Sequence, residues 1–368
     1  MLSTPPDPAT LNIALLERLR SACGQFVSLD DLGGGDRTRV WDDLDALTRF
    51  GFQIERHPYL GAAFRGPACR LCPDQIEHGL RTRTIGRRIA VWNRVSSTND
   101  VASRAASTLA NDGLVVLAEE QTAGRGQRGQ LWTVPPRSSI LMSILIFPPD
   151  ELRALRLEAH AGNAWLTALA AVTTAELVTD WCGCDARIKW PNDVRVEGRK
   201  IAGILVERAL TPAYLARADG ASGARHQGVV IGIGLNVNVD EESFPSDLRP
   251  RATSLAILGG GKPIDRSELA RDLIGRLDVW YEHIMFLGPG VLNDPWRDRS
   301  EHLGNMVRVV TCDEELRGRL IDLDLDRGLT LECKSTRRSI SDAFSPRGPE
   351  LESSLRQVAL SNVLALEE

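Results

Sequence analysis

Residues 118–132 read A-E-E-Q-T-A-G-R-G-Q-R-G-Q-L-W and directly follow the short apolar run Leu114–Leu117. The apolar run predicts a buried strand, and the stretch after it holds three glycines, two arginines and one tryptophan. Glycine lets a backbone approach a ligand closely, arginine matches carboxylate and phosphate with a planar charged fork, and a tryptophan ring can stack on a base. We therefore expect this loop to surround an anion and a ring.

The loop by itself does not define a site. Loops rich in glycine are commonly solvated turns, and this one lacks the Lys-[Ser/Thr] ending of a P-loop, so a P-loop interpretation does not follow. Four further stretches change the interpretation: S-S-T-N at 96–99, K-W-P-N-D-V-R-V-E-G-R-K-I-A-G-I-L-V-E at 189–207, I-G-I-G-L-N at 231–236 and A-T-S-L at 252–255. In their order and spacing, the five stretches resemble the biotin protein ligases over residues 90–285.

The resemblance implies an α+β fold. Its core is a mixed sheet with helices, of the kind shared by class II aminoacyl-tRNA synthetases and biotin ligases. A winged-helix-like domain precedes it, and a small SH3-like β-barrel follows. The expected domains are a winged helix-turn-helix-like domain with its linker at 1–83, the catalytic domain at 84–300 and the barrel domain at 301–368. A chain of 368 residues is long enough for two or three domains.

The N-terminal region predicts helices near 11–20 and 36–49, followed by a strand at F-Q-I-E, residues 52–55. In a winged helix the second of these helices would approach DNA. It carries three arginines and four aspartates, a net charge of −1, whereas each phosphate contact needs a cation. We therefore expect no DNA binding, and a ligase that is also a biotin-operon repressor stays the alternative.

The core region predicts further elements from its apolar spacing. A helix opens at Ser97 or Thr98, with Val101, Ala105 and Leu109 as its inner stripe. The other predicted elements are strands at 89–92 and 139–147, a helix at 157–181, a hairpin over 187–207 that turns at Glu197-Gly198, a strand at 228–236, a helix at 266–286 and short strands at 306–310, 316–322 and 329–332.

The resemblance also implies roles for individual residues. The residues implied for catalysis are Lys200, Arg125 and Asp193. The residues implied to contact biotin are Ser97, Thr98, Asn99, Gln121, Gly124, Arg125, Gly126, Gln127 and Lys200. The residues implied to contact ATP are Arg125, Arg128, Trp132, Lys189 and Asn236. The residue types alone leave alternatives open, because Ser97 and Thr98 are also good helix caps and Asp193 is also a good turn residue.

The implied reaction explains why cations are needed. A carboxylate is a poor electrophile, so ATP, with Mg²⁺ on its phosphates, first converts biotin to biotinyl-5′-AMP and pyrophosphate. A lysine of a biotin carboxyl carrier protein or domain then displaces AMP. The first step brings one anion against a polyanion, and positive side chains offset the repulsion.

The loop departs from the pattern of some relatives. Gln127 stands where they have a third arginine, and Gln130-Leu131 stands where they have a basic pair, so the adenylate is expected to be held less tightly.

Two other functions are alternatives to biotin ligation. A lipoate ligase would share the reaction type, but G-R-G-Q-R-G does not match its signature. A winged-helix adaptor with an inactive core is a further alternative, which the intact stretches oppose.

The composition limits which partners and which cellular compartment are expected. Charged residues make up 25% of the chain and the formal net charge is −5, which gives no general attraction to nucleic acid. We see no signal peptide and no membrane span, and seven cysteines without a disulfide spacing predict a reduced, cytoplasmic protein. Cys69-x-x-Cys72 and the Cys182, Cys184 pair lack the further ligands of a zinc site. A homodimer is compatible with the sequence.

Overall fold

The structure is a computed structural model, which describes residues 11–33, 35–149, 164–210, 227–336 and 351–367. The chain begins with helices and a hairpin, as predicted. These elements are α1 Ile13–Ser21, α2 Leu29–Gly33, α3 Arg37–Phe50, β1 Gln53–His57, β2 Gly61–Gly66 and the short helix α4 Pro73–Glu77. Strands β1 and β2 pair antiparallel.

A seven-stranded mixed sheet forms the centre of the molecule. Its strands are β3 Arg88–Trp92, β4 Leu114–Ala118, β5 Ser139–Ile146, β6 Ala186–Lys189, β7 Asp193–Val196, β8 Arg199–Arg208 and β9 Val229–Asn236. The order across the sheet is β3-β4-β5-β9-β8-β7-β6. Only β3 and β4 pair in parallel among these neighbours, and the other five pairs are antiparallel. The predicted central strand at 139–147 is the third strand of this sheet.

Helices cover the sheet. They are α5 Thr98–Ala105, α6 Ala164–Cys182, α7 Leu255–Leu258, α8 Arg266–Leu287 and α9 Asn293–Arg299. The predicted helix at 157–181 corresponds to α6, although residues 150–163 lie outside the described part of the chain. Most of the α6 side chains are buried, including Trp165, Leu169 and Leu177, which explains its continuous apolar sequence. No helix in the described ranges has both the length and the apolar character that crossing a membrane requires.

One detail of the predicted helix α5 was wrong. Its buried side chains include Ala102, and Ala106 just beyond its end is also buried. Of the predicted stripe, Val101 and Ala105 are partly buried and pack against the cluster that contains Ala102, whereas Leu109 falls in a separate turn, where it is 37% exposed. Helical spacing carried the prediction on to Leu109, although the helix ends at Ala105.

The C-terminal strands form a second antiparallel sheet. They are β10 Met306–Val310, β11 Glu315–Asp324, β12 Gly328–Thr336, β13 Leu351–Val358 and β14 Ala365–Glu367, in the order β13-β12-β11-β10-β14. The sequence predicted the first three and missed the last two. Val309, Leu320 and Leu331 belong to the same continuous hydrophobic cluster as Ile188 of β6, so this sheet packs on the central sheet.

The N-terminal elements have a small core of their own, built from residues between Leu11 and Cys72. A buried polar network fastens them to the central sheet. Arg266 of α8 pairs with Glu119 at 2.7 Å, and the two side chains are only 3% and 5% exposed. The Leu71 amide donates to the second oxygen of Glu119 at 2.5 Å. Glu119 directly follows β4, so the N-terminal region is tied to the residue that leads into the loop 120–132.

Candidate active site

A cavity of about 370 Å³ opens over the middle strands of the central sheet. It brings together the loop 120–132, the start of α5, and strands β6, β7, β8 and β9. Every residue that the sequence assigned to biotin, ATP or catalysis lines it, except Gly124 and Asn236: Ser97, Thr98, Asn99, Gln121, Arg125, Gly126, Gln127, Arg128, Trp132, Lys189, Asp193 and Lys200. Stretches more than a hundred residues apart in sequence therefore meet at one place.

Glycines on β8 and β9 form the floor of this cavity. A Cβ atom added to Gly234 would lie 2.5 Å from the Cε2 atom of the Trp132 indole, and one added to Gly203 would lie 3.1 Å from the Nζ of Lys200. A Cβ on Gly232 would overlap the amide oxygen of Asn99. The missing side chains are thus what allows three of the predicted residues to lie directly against the sheet.

The S-S-T-N stretch both caps a helix and lines the cavity. Ser97 caps α5, because its hydroxyl accepts a hydrogen bond from the Asn99 amide at 3.2 Å. Thr98 turns the other way and donates to the Gln121 carboxamide oxygen at 3.0 Å. Ser143 of β5 donates to the Thr98 hydroxyl at 2.7 Å and also lies 2.5 Å from the amide oxygen of Asn99. The cap and the cavity wall are one hydrogen-bonded unit.

Arg125 contacts two carboxylates. Its Nη2 lies 2.7 Å from Asp100 and 3.1 Å from Glu207, and its Nε lies 3.3 Å from the second Glu207 oxygen. Hydrogen bonds to Asp100 and then to Glu207 raise the pKa of the Arg125 guanidinium above its ordinary value. Partial burial works to raise the pKa of the Asp100 carboxyl, but hydrogen bonds from Arg125 and Ser96 outweigh it, so that pKa is lowered.

Lys200, Asp193 and Trp132 form a second charged group. The Lys200 ammonium lies 2.6 Å from Asp193 and 5.5 Å from the centre of the Trp132 ring, a cation–π geometry. The predicted hairpin creates this contact: Glu197 and Gly198 both have positive φ, as a tight two-residue turn requires. Among the described residues, no acceptor reaches the buried Trp132 Nε1, and such an orphaned donor commonly marks a ligand position.

The remaining predicted cations lie at the rim. Lys189 of β6 is the register partner of Asp193. Arg128 has a positive φ and donates a hydrogen bond to the Leu364 carbonyl, just before β14. Strand β14 itself contributes Ala365 to Glu367 to the cavity wall. The sequence predicted no C-terminal contribution to the site.

The two predicted residues outside the cavity wall support it from behind. The Asn236 side chain is 4% exposed and donates to the Thr253 carbonyl at 3.0 Å. The Thr253 amide in turn donates to the Lys200 carbonyl at 2.9 Å, so the A-T-S-L stretch is fastened to β8. Gly124 accepts from the Trp132 amide at 3.0 Å, and a Cβ there would meet the Trp132 carbonyl oxygen at 2.5 Å. Gly124 therefore closes the loop.

Sequence reasoning missed Asp100, Glu207, Ser143 and Asn192. Asp100 directly follows S-S-T-N, and Glu207 ends the stretch that begins at Lys189. Their positions beside or within stretches already assigned to the site could have identified both as site residues. Ser143 is the single polar residue inside the apolar run of β5, another usable signal. Asn192 fixes the turn before β7, since its side chain donates to the Ile204 carbonyl at 2.8 Å.

The described residues offer no separate metal centre. No three histidine, cysteine or carboxylate side chains within those ranges come together in a metal-binding group. All seven cysteines, Cys69, Cys72, Cys182 and Cys184 included, are free thiols. Burial raises the pKa of the Cys72 thiol to about 12, so it stays protonated and unreactive.

Comparison with known proteins agrees with this arrangement. The model of the Biotin/lipoate A/B protein ligase family matches residues 91–236. The structure of a biotin protein ligase from Aquifex aeolicus in complex with biotin and ATP superposes with a TM-score of 0.56 over 76% of this chain and 99% of that chain. Sequence identity in that superposition is 18%, so it shows a shared fold alone.

Sequence relatives show the family. The bifunctional ligase/repressor BirA of Bacillus subtilis is 29% identical over 91% of this chain and 98% of its own length. The biotin–[acetyl-CoA-carboxylase] ligase of Mycobacterium tuberculosis is 34% identical over 65% of this chain and 83% of its own length. A ligase of the same name from Paracoccus denitrificans is 30% identical over 68% and 96%. With this extent of identity and coverage, and with the predicted residues gathered in one cavity, the chain belongs to the biotin protein ligase family.

Proposed function

We propose that the cavity catalyses the ATP-dependent biotinylation of a protein lysine. Biotin is first activated to biotinyl-5′-AMP with release of pyrophosphate, and the biotinyl group then passes to a lysine of a biotin carboxyl carrier protein or domain. The observation that carries this proposal is the Lys200–Asp193 ion pair beneath Trp132, in the same cavity as the Thr98–Gln121 hydrogen bond. Family membership supports the same reaction.

The neutral biotin rings would bind at the S-S-T-N side of the cavity. Hydroxyl and amide groups suit a ureido ring, which both donates and accepts hydrogen bonds. Thr98, Asn99 and Gln121 already form one connected network there, with Ser97 as the cap that holds it. Gly126 and Gln127 also line the cavity, and we place the biotin chain beside them, with its carboxylate directed toward Arg125 and Lys200.

In the first step a biotin carboxylate oxygen attacks the α-phosphorus of ATP, and the bond to pyrophosphate breaks. Two anions approach each other, so fixed positive charges at the site lower the barrier. Lys200 is the central cation, because it lies at the cavity floor and can exchange Asp193 for a phosphate oxygen. Arg125, Lys189 and Arg128 surround the same space and add to the positive potential.

Mg²⁺ would be held chiefly by the nucleotide. Among the described residues that line the cavity, the carboxylates are Asp193 and Glu367. Such a sparse acidic set fits an ion that takes one or two carboxylates plus substrate phosphates. Asp193 is the residue placed to hold it, and the ion would neutralise phosphate charge during adenylation.

The adenine would stack on Trp132. That ring packs against Gly234 of the glycine floor, and a base can stack on an aromatic ring without any hydrogen bond. Asn236 would act on the adenine side indirectly, through its bond to the Thr253 carbonyl. The loop 120–132 would then cover the adenylate and exclude water.

In the second step a neutral lysine amine attacks the acyl carbon, and AMP leaves. Asp193 is the carboxylate nearest to Lys200 in the cavity, at 2.6 Å. We propose that it orients the incoming amine and accepts its proton once Lys200 has engaged the phosphate. A base must lie within hydrogen-bond reach of the proton that it takes, and an acceptor lysine entering above β7 would satisfy this condition.

We further propose the domain division 1–83, 84–300 and 301–368. Three helices followed by the hairpin β1–β2, with a separate small core, support a winged-helix-like N-terminal domain. The five-stranded antiparallel sheet after residue 300 supports an SH3-like C-terminal domain. The contact between Leu71 and Glu119 gives the N-terminal domain a route to steady the loop 120–132.

Within this division, we propose that the N-terminal domain does not bind DNA, although some relatives are named as repressors. Two of the cations on or beside α3 are engaged by carboxylates: Arg37 lies 2.8 Å from Asp30, and Arg56 lies 2.6 Å from Asp45. These pairs reduce the positive charge that would face a duplex.

The reaction is tested by ATP–pyrophosphate exchange with biotin and with lipoate. We expect exchange with biotin alone. The variant Lys200→Ala should lose exchange by orders of magnitude with an unchanged melting temperature, because the central cation is missing. Lys262→Ala, a change at an exposed lysine away from the cavity, serves as the matched control. Normal exchange in Lys200→Ala would contradict its role, and exchange with lipoate only would contradict the proposed substrate.

Replacing Gln127 with arginine should slow the escape of biotinyl-AMP. A charge-assisted hydrogen bond exceeds a neutral one by about 1 kcal/mol, so we expect an off-rate roughly fivefold lower. Release of the radiolabelled adenylate from the isolated complex measures it, with the exposed Gln25→Arg as the control for added charge. An unchanged off-rate would mean that residue 127 points away from the intermediate.

Full-length protein with biotin and ATP should show no sequence-specific, salt-sensitive shift of its own biotin-operon promoter DNA. The reversal Asp42→Arg on the exposed face of α3 should add weak non-specific binding, because it removes one repulsive charge and supplies one cation. Specific binding by the unmodified protein, lost as salt is raised, would show that the domain is a DNA reader after all.

A further inference from the structure

Arg125 lies between two cavities. It lines the main cavity, and it also lines a second cavity of about 290 Å³ on the other side, together with Asp100 and Glu207. Both carboxylates contact its Nη2, and Glu207 also contacts its Nε. Neither contact uses Nη1. The cation that we assign to the substrate carboxylate is therefore already engaged by two carboxylates of the protein.

The charges of this group oppose an incoming anion. Arg125 carries one positive charge, whereas Asp100 and Glu207 together carry two negative charges, so the three groups sum to −1. Arg104 and Arg208 also line the second cavity and offset part of this charge, but a carboxylate that approaches Arg125 must still compete with the two protein carboxylates in direct contact with it. The Gln127 side chain beside it adds no positive charge in compensation.

We propose that Asp100 is an internal competitor for Arg125, and that it sets how tightly the site holds a carboxylate-bearing substrate. This proposal rests on the function proposed above and adds an affinity-determining residue to it. Binding of the acid exchanges the Asp100–Arg125 contact for a substrate–Arg125 contact. Asp100 acts only through Arg125 and does not itself touch the substrate.

Asp100 is the carboxylate that can withdraw. Glu207 is held by two contacts to Arg125, and it also accepts a hydrogen bond from the side-chain amide of Asn99 at 2.7 Å. Within the described ranges, Asp100 makes one contact to Arg125, and its other oxygen accepts a hydrogen bond from the exposed Ser96 hydroxyl at 3.0 Å. Its side chain is 35% exposed, so the released carboxylate turns into water, where an unpaired charge costs little.

Competition of this kind predicts a dependence on ligand charge. An uncharged analogue does not need Arg125, so Asp100 should not affect its binding. Removing the Asp100 charge should therefore tighten binding of biotin and leave the primary amide of biotin unaffected. Two unit charges about 4 Å apart in water interact by roughly 1 kcal/mol, which corresponds to about a fivefold lower Kd for biotin.

The experiment measures Kd for biotin and for biotinamide by calorimetry in the full-length protein. The variants are Asp100→Asn and, as a second neutral form, Asp100→Ser, which also suits the first turn of a helix. Asp294→Asn is the matched control, since Asp294 is an acidic residue in the first turn of another helix and pairs with Arg297 at 2.6 Å. The same change is also made in an Arg125→Gln background.

Tighter biotin binding in Asp100→Asn or Asp100→Ser, unchanged biotinamide binding and no effect in the Arg125→Gln background would support the proposal. Weaker or unchanged biotin binding would overturn it, because Asp100 would then position Arg125 or be inert. Equal shifts for biotin and biotinamide would also overturn it, since they would indicate a structural effect. A wild-type protein that binds no biotin would instead contradict the proposed function.

Discussion

The site depends on the close contact of three side chains with the backbone of β8 and β9 at glycine positions, where no side chain projects from the strand. Gly203, Gly232 and Gly234 leave the sheet surface without side chains, and Trp132, Asn99 and Lys200 occupy that space. The loop 120–132 can fold down over the sheet only because the indole has a flat place to lie. The cavity, the cation–π contact and the hydrogen-bonded wall all follow from this packing.

A second principle concerns charge. Each central cation in the cavity is paired inside the protein, Lys200 with Asp193 and Arg125 with Asp100 and Glu207. In the proposed function, substrate binding would therefore exchange one ionic partner for another. Partial exposure of these side chains would keep the exchange inexpensive, since water can solvate the released carboxylates. The freed Asp193 would then act on the incoming amine.

Much of the fold and most of the site could be predicted from local sequence. The Glu197-Gly198 turn fixed the hairpin, and with it the approach of Asp193 to Lys200, because turn chemistry is local. The two last strands, β13 and β14, could not be predicted, since their pairing depends on residues far away in the chain. The contribution of β14 to the cavity was missed for the same reason. The ionic partners of Arg125 were missed although both adjoin or end a quoted stretch, since their pairing with Arg125 depends on the folded chain. In α5, helical spacing carried the prediction on to Leu109, although the helix ends at Ala105.

The claim that the glycine floor carries the substrate site is tested most directly by titrating ATP and biotin against Gly234→Ala. Gly228→Ala is the matched control, since its added Cβ would also meet neighbours closely, at 3.1 Å from Ala209, but away from the cavity. A methyl group on Gly234 should drive Trp132 off the sheet and weaken ATP binding by about tenfold or more, equivalent to roughly 1.4 kcal/mol, while Gly228→Ala binds normally. Equal affinities in the two variants would contradict the account.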